Sequence, residues 1–194
     1  AVALVSTLRT IINSLSQLYG SINATIFPEL QRAMAMGQIE IAKRVYRLGL
    51  AAAVASSSVG CLFLFTLGPT IYHQWTSGKL NPPDYAWTIL IGAIFAHAFW
   101  RTAGTTFAAA NRPEPFAIAG IVAASLGVIT SASLAGPWGI IGILTGLLVM
   151  EIAMAIYVVP ASCAMVHQPL LHLPSNIFEE RRELYKYLHR IRPT

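Results

Sequence analysis

Long apolar runs separated by short polar punctuation dominate the chain. Four of them, 49–72, 85–110, 115–135 and 139–160, reach the roughly 18 residues that a membrane-crossing helix requires. Proline and glycine mark their ends, in LGPT, LNPPD, NRPEP and AGPWG. A fifth segment, 3–27, has the length but is more polar. Its Arg9, Asn13, Ser16, Gln17, Gly20 and Asn23 recur at spacings of three and four, which sets them on one stripe of a helix. An unpaired polar group in hydrocarbon costs several kcal/mol, so the stripe must face packed neighbours or a watery cavity. Arg9, toward one end, can snorkel to the interface. Asn13 and Gln17 are too short for that, and a cavity wall accounts for them better. The pattern predicts an all-α, polytopic membrane protein of about five transmembrane helices.

Two further segments are amphipathic without being long enough in apolar residues to cross. Segment 28–48, PELQRAMAMGQIEIAKRVYRL, mixes apolar and basic residues and is expected to lie along the inner surface as an elbow broken near Gly37. In the tail, 163–194, Asn176 precedes Glu179 by three residues as a capping pair would. Ile177, Leu184, Leu188 and Ile191 then share one face opposite basic residues. The simplest reading of both is a helix bound at the headgroups. Residues 1–162 therefore form the bundle, with spans at 3–27, 49–72, 85–110, 115–135 and 139–160, and 163–194 an amphipathic cytoplasmic tail.

Lysine and arginine set the orientation. Arg32, Lys43, Arg44, Arg47, Arg112 and the tail's Arg181, Arg182, Lys186, Arg190 and Arg192 fall on one side, whereas the alternate links hold only Lys79. The basic side is expected to be cytoplasmic, so the chain starts outside, crosses five times and ends inside. Trp75, Trp87 and Trp138 then fall at the outer interface as an aromatic belt.

Composition agrees with this reading. Of 194 residues, 55% are hydrophobic and 11% charged, against roughly a quarter charged in soluble domains. The net charge of +5 would suit nucleic acid, but the basic residues flank apolar runs, so anionic lipid headgroups are the expected partner and nucleic acid is not. Cys61 and Cys163 make no disulfide framework. The chain opens with Ala1 inside an apolar segment and reads as a piece of a longer polypeptide.

The candidate chemistry lies in the spans. In IFAHAFWRTAG, His97 and Arg101 stand one helical turn apart, and LLVMEIAM carries Glu151. Counting about 1.5 Å per residue puts His97 and Glu151 at nearly equal depth and Arg101 about one turn inward. Charged groups at such depth should face the protein interior, and they mark a function by default. Pairing of Glu151 with His97 or Arg101, locking two helices together, would equally account for them. Gly139, Gly142 and Gly146 permit close helix packing. Metal-ligand spacing, nucleophile elbows and phosphate loops are absent from the sequence, so no catalytic residue, cofactor or metal is expected.

Three stretches in order resemble the polysaccharide and O-antigen flippases of the MOP (multidrug, oligosaccharidyl-lipid and polysaccharide) exporter superfamily. They are IFPELQRAMAMGQIEIAKRVYRLGL, with Pro28, Leu30, Gly37 and Ala42 at the family's positions; AAANRPEPFAIAG, like the loop between its last hairpins; and GPWGIIGILTG, like its Gly-rich entry to a late span. The resemblance covers most of residues 1–162 and implies most of one bundle of a MATE-like pair arranged as a V around a cavity. On this resemblance the N-terminal bundle, a required partner, is expected to lie outside the sequence. Such proteins translocate undecaprenyl-pyrophosphate-linked oligosaccharide across the bacterial inner membrane. By position, Arg9 and Arg101 are then candidates to meet pyrophosphate, and Asn13, Gln17 and Asn23 to meet sugar hydroxyls. His97 and Glu151 would set the charge state around Arg101. A MATE-like drug/cation antiporter and a lipid II flippase are alternatives within the superfamily. An integral membrane enzyme of lipid-linked sugar metabolism and a non-transporting scaffold are alternatives outside it.

Overall fold

The computed structural model describes residues 2–80 and 82–169, which form helices and turns with no strand among them. The helices are α1 (Val2–Ala35), α2 (Ile39–Trp75), α3 (Asp84–Ala103), α4 (Thr105–Ala109), α5 (Pro113–Trp138) and α6 (Ile140–Met165). Three of these, α2, α5 and α6, are long and apolar enough to cross a membrane. Helices α1 and α3 have comparable length, and their polar residues, His97 and Arg101 among them, lower their hydropathy. The exposed surface fits the same setting. Val59, Leu62, Phe63, Phe65 and Leu67 of α2 and Ile118, Ile121, Val128 and Ile129 of α5 stand outward. An apolar exterior on that scale belongs against lipid rather than water.

Helix α3 holds the bundle together. It packs on α2 and α6 and also touches α1, while α5 packs on α6 at the rim. One cluster fills the end near the α1–α2 turn: Leu30, Ala42, Tyr46, Phe107, Val158 and Val166. A second fills the opposite end around Tyr72, Trp87, Leu90 and Leu144. Hydrogen bonds tie the helices at both ends. Ser162 Oγ donates to the Val159 carbonyl (2.8 Å), which leaves the Tyr46 hydroxyl as donor to Ser162 Oγ (2.7 Å). Near the other end Thr7 Oγ1 and the Tyr72 hydroxyl lie 2.6 Å apart.

Segment 28–48 differs from expectation. It is not a separate surface helix: α1 runs through Pro28 to Ala35, and α2 runs unbroken from Ile39. The break does fall at Gly37, whose φ of +67° suits a residue without a side chain. The apolar faces of the two helix ends bury Leu30, Ala33, Ala42 and Tyr46 in one cluster with Cys163 and Val166 of α6, so the amphipathic stripe is satisfied by protein. Outside that cluster Lys43 bonds Glu40 at 2.6 Å and holds its exposed carboxyl below the usual carboxylate range.

The span expected over 85–110 loosens at Gly104, between α3 and α4, where the backbone stays right-handed and the Gly104 N–H still bonds the Trp100 carbonyl (2.8 Å). A Cβ there would come within 2.6 Å of Phe116, so the α5 side chain occupies the place of a larger residue. Trp75 and Trp138 stand exposed near helix ends, but Trp87 is buried, edge-on to Tyr72 at 5.6 Å, and belongs to the core instead of a belt. The tail from 170 onward, with its expected capping pair, lies outside the described residues.

Helices α5 and α6 form the closest contact. A Cβ on Gly142 would collide with the Leu134 carbonyl, and one on Gly146 with Ser131 and the Gly127 carbonyl. Ser131 Oγ donates to the Ile143 carbonyl across the crossing (3.2 Å). The small residues thus serve packing, as such spacing does in membranes. Gly139 acts differently, turning the chain between the two helices with a φ of +54°.

Candidate functional site

Glu151 sits near the middle of α6 and is 3% exposed. The neighbouring face of α3 meets one of its two oxygens. The Trp100 indole N–H donates to Glu151 Oε2 at 2.6 Å, and His97 Nδ1 lies 3.1 Å from the same oxygen. The two rings meet edge to face with centroids 5.0 Å apart, and Trp100 leans on Phe116 at 5.9 Å. Of the two pairings open to Glu151, then, the structure has the one with His97.

Helical phase explains why Arg101 is excluded. At about 100° per residue, Trp100 lies roughly 60° to one side of His97 and Arg101 roughly 40° to the other. Glu151 approaches between His97 and Trp100, which turns Arg101 away. Arg101 is exposed and takes part in neither the His97–Glu151 nor the Lys43–Glu40 pair.

Two clefts result. The larger, about 670 Å³, lies among α1, α3, α5 and α6, and its polar lining is Asn13, His97, Ser131 and Glu151 against Leu147, Met150 and other apolar groups. The smaller, about 410 Å³, lies between α1 and the α3–α4–α5 corner, with Asn23, Arg101 and Thr105 beside Phe27 and Phe116. There Asn23 Nδ2 points at the Arg101 carbonyl at 3.5 Å, while its Oδ1 is buried without a described partner.

The candidate residues are therefore divided. Asn13, His97 and Glu151 share one cleft, and Asn23 and Arg101 share the other, so His97 and Glu151 do not neighbour Arg101 within a single cavity. Gln17 is exposed on α1 and lines neither. Arg9 lies on α1, and its side chain is outside the described part of the structure. Sequence reasoning missed Trp100 and Ser131. Trp100 had a signal, the three-residue spacing from His97 that places both on one face. Ser131 had none beyond its place among small residues. Among the described residues no group of three or more His, Cys, Asp and Glu gathers. In comparison with known proteins, no family model, no curated protein and no solved structure matches this chain.

Proposed function

We propose that the chain is part of a bacterial inner-membrane transporter that translocates a lipid-linked oligosaccharide, with a pyrophosphate headgroup, from the cytoplasmic to the outer leaflet. In this reading α1, α2, α3–α4, α5 and α6 all cross. The start of α1 is outside, the Gly37 turn and the tail are cytoplasmic, and anionic lipids meet the basic residues there. Further helices complete a second bundle, and the chain carries out no covalent chemistry. The reading draws on the resemblance of residues 1–162 to the MOP flippases. The single observation that carries it is that two largely apolar clefts along α1 each gather a few polar side chains, Asn13, His97, Ser131 and Glu151 in one and Asn23, Arg101 and Thr105 in the other. A headgroup bearing charge and hydroxyls needs such a route, since unpaired polar groups in hydrocarbon are costly. Arg101 supplies the cation, and Asn23 and Asn13 supply hydrogen-bonding groups.

The test is accessibility. Single cysteines replace Asn13 and Arg101 in the intact membrane protein, with Cys61 and Cys163 removed, and a membrane-impermeant thiol reagent is applied from each side. Labelling at both positions, reduced by lipid-linked oligosaccharide, is the expected outcome. Absence of labelling at both in a folded protein would make the polar residues a packing cluster and end the proposal.

The buried carboxylate favours a second reading, a drug/cation antiporter of the same superfamily, because Glu151 adds a negative group to the larger cleft. Uptake of an organic cation that disappears in Glu151→Gln, with saccharide transport absent from the parent, would select it.

A further inference from the structure

Among the described residues, both hydrogen-bonding contacts to Glu151 fall on one oxygen, Oε2, although the residue also lines the larger cleft. An indole N–H can only donate. A donor to a carboxylate stabilises the charged form and fixes its orientation. Trp100 is itself clamped: it is 7% exposed, between the His97 ring and Phe116. We infer that Trp100 is the positioning residue of the larger cleft: its N–H pins Oε2 so that Oε1 of Glu151 is the atom offered to a proton or cationic group entering from the Asn13 side.

The surroundings leave few groups to compete for this role. From α3, His97 touches Glu151 and Arg101 is turned into the other cleft. Helix α5 brings no charged residue beyond Glu114 in its first turn, and α6 itself has only Glu151. Helix α1 presents Asn13, with Arg9 one turn earlier in the sequence. His97 also lies at Oε2, but an imidazole has two nitrogens and two tautomers, whereas the indole donor is fixed.

The inference deepens the transport reading and rests on it only for the meaning of the cleft. Its test removes the N–H alone. In the intact membrane protein Trp100 is replaced by benzothienylalanine, which keeps the ring shape and exchanges N–H for sulfur. Modification of Glu151 by dicyclohexylcarbodiimide, which reacts with the neutral carboxyl, is followed by mass spectrometry in mildly alkaline buffer. Loss of the hydrogen bond to Oε2 should raise the reaction rate about tenfold, and Glu151→Gln supplies the blank. Thiol labelling of Cys163, buried beside Tyr46, reports unfolding and must stay at the level of the parent. A rate unchanged from the parent overturns the inference. If Cys163 becomes reactive, Trp100→Phe at lower temperature takes the variant's place, and an unchanged rate there overturns it equally. A raised rate with unaltered saccharide transport would keep the positioning role and remove this cleft from the transport pathway.

Discussion

The α5–α6 contact and the contacts of α1 with its neighbours show two ways for a long helix to sit in one bundle. Helices α5 and α6 meet through what they lack: Gly127, Gly142 and Gly146 bring backbone against backbone, and a single side-chain hydroxyl, Ser131, bridges them. Helix α1 is held to α2 and α4 at the turn end, touches α3, and meets Tyr72 of α2 through Thr7 near its other end, while Asn13, Gly20 and Asn23 border clefts between. Where small residues align, van der Waals contact closes the interface. Along the polar stripe, Asn23 approaches the Arg101 carbonyl with its Oδ1 buried and without a described partner, while Asn13 borders the larger cleft.

The strongest way to break the contrast is to enlarge a residue of the α5–α6 contact. Gly146→Val places methyls against Ser131 and the Gly127 backbone, neither of which can retreat, and about 3 kcal/mol or more of stability should be lost. Thermal unfolding in detergent, or failure to obtain folded protein, reads this. Glu151→Ala comes next. It leaves the buried Trp100 N–H without its acceptor and should cost about 1–3 kcal/mol in the same measurement. Tyr46→Phe removes the bond to Ser162 and should cost about 1 kcal/mol. Ser131→Ala, which deletes the bridge between α5 and α6, should cost about 0.6 kcal/mol, the size typical of hydrogen bonds between membrane helices. Arg101→Gln sharpens the contrast from the cleft side. Stability should change by less than about 0.5 kcal/mol because the group is exposed, while on the transport reading proposed above saccharide transport falls in a vesicle assay.

The helices themselves were legible because apolar runs of their length have few other uses, and the breaks at Gly37 and Gly139 announced themselves through glycine. Extent was harder. Pro28 reads as a stop, yet α1 continues through it, since Leu30 and Ala33 gain a buried face by staying helical. The site was half legible. Depth counting brought His97 level with Glu151, because rise per residue is nearly constant along a helix. Rotation was not recoverable in the same way. Which side of His97 meets α6 depends on how three helices pack, and that choice put Trp100 at the carboxylate and Arg101 in a separate cleft. Charge drew attention to Arg101, whereas the bond that forms is from a neutral indole.

The turn at Gly139 has a bearing on how the molecule is made. A single residue joins α5 to α6, so there is no extramembrane stretch in which one helix could wait while the other is synthesised. The two helices are expected to enter the bilayer together as a preformed hairpin, already zipped through Gly127 and Gly146. Glu151 would travel in with its apolar escort, toward an α3 that was synthesised earlier. Assembly of the bundle would be complete only when Trp100 and His97 receive it.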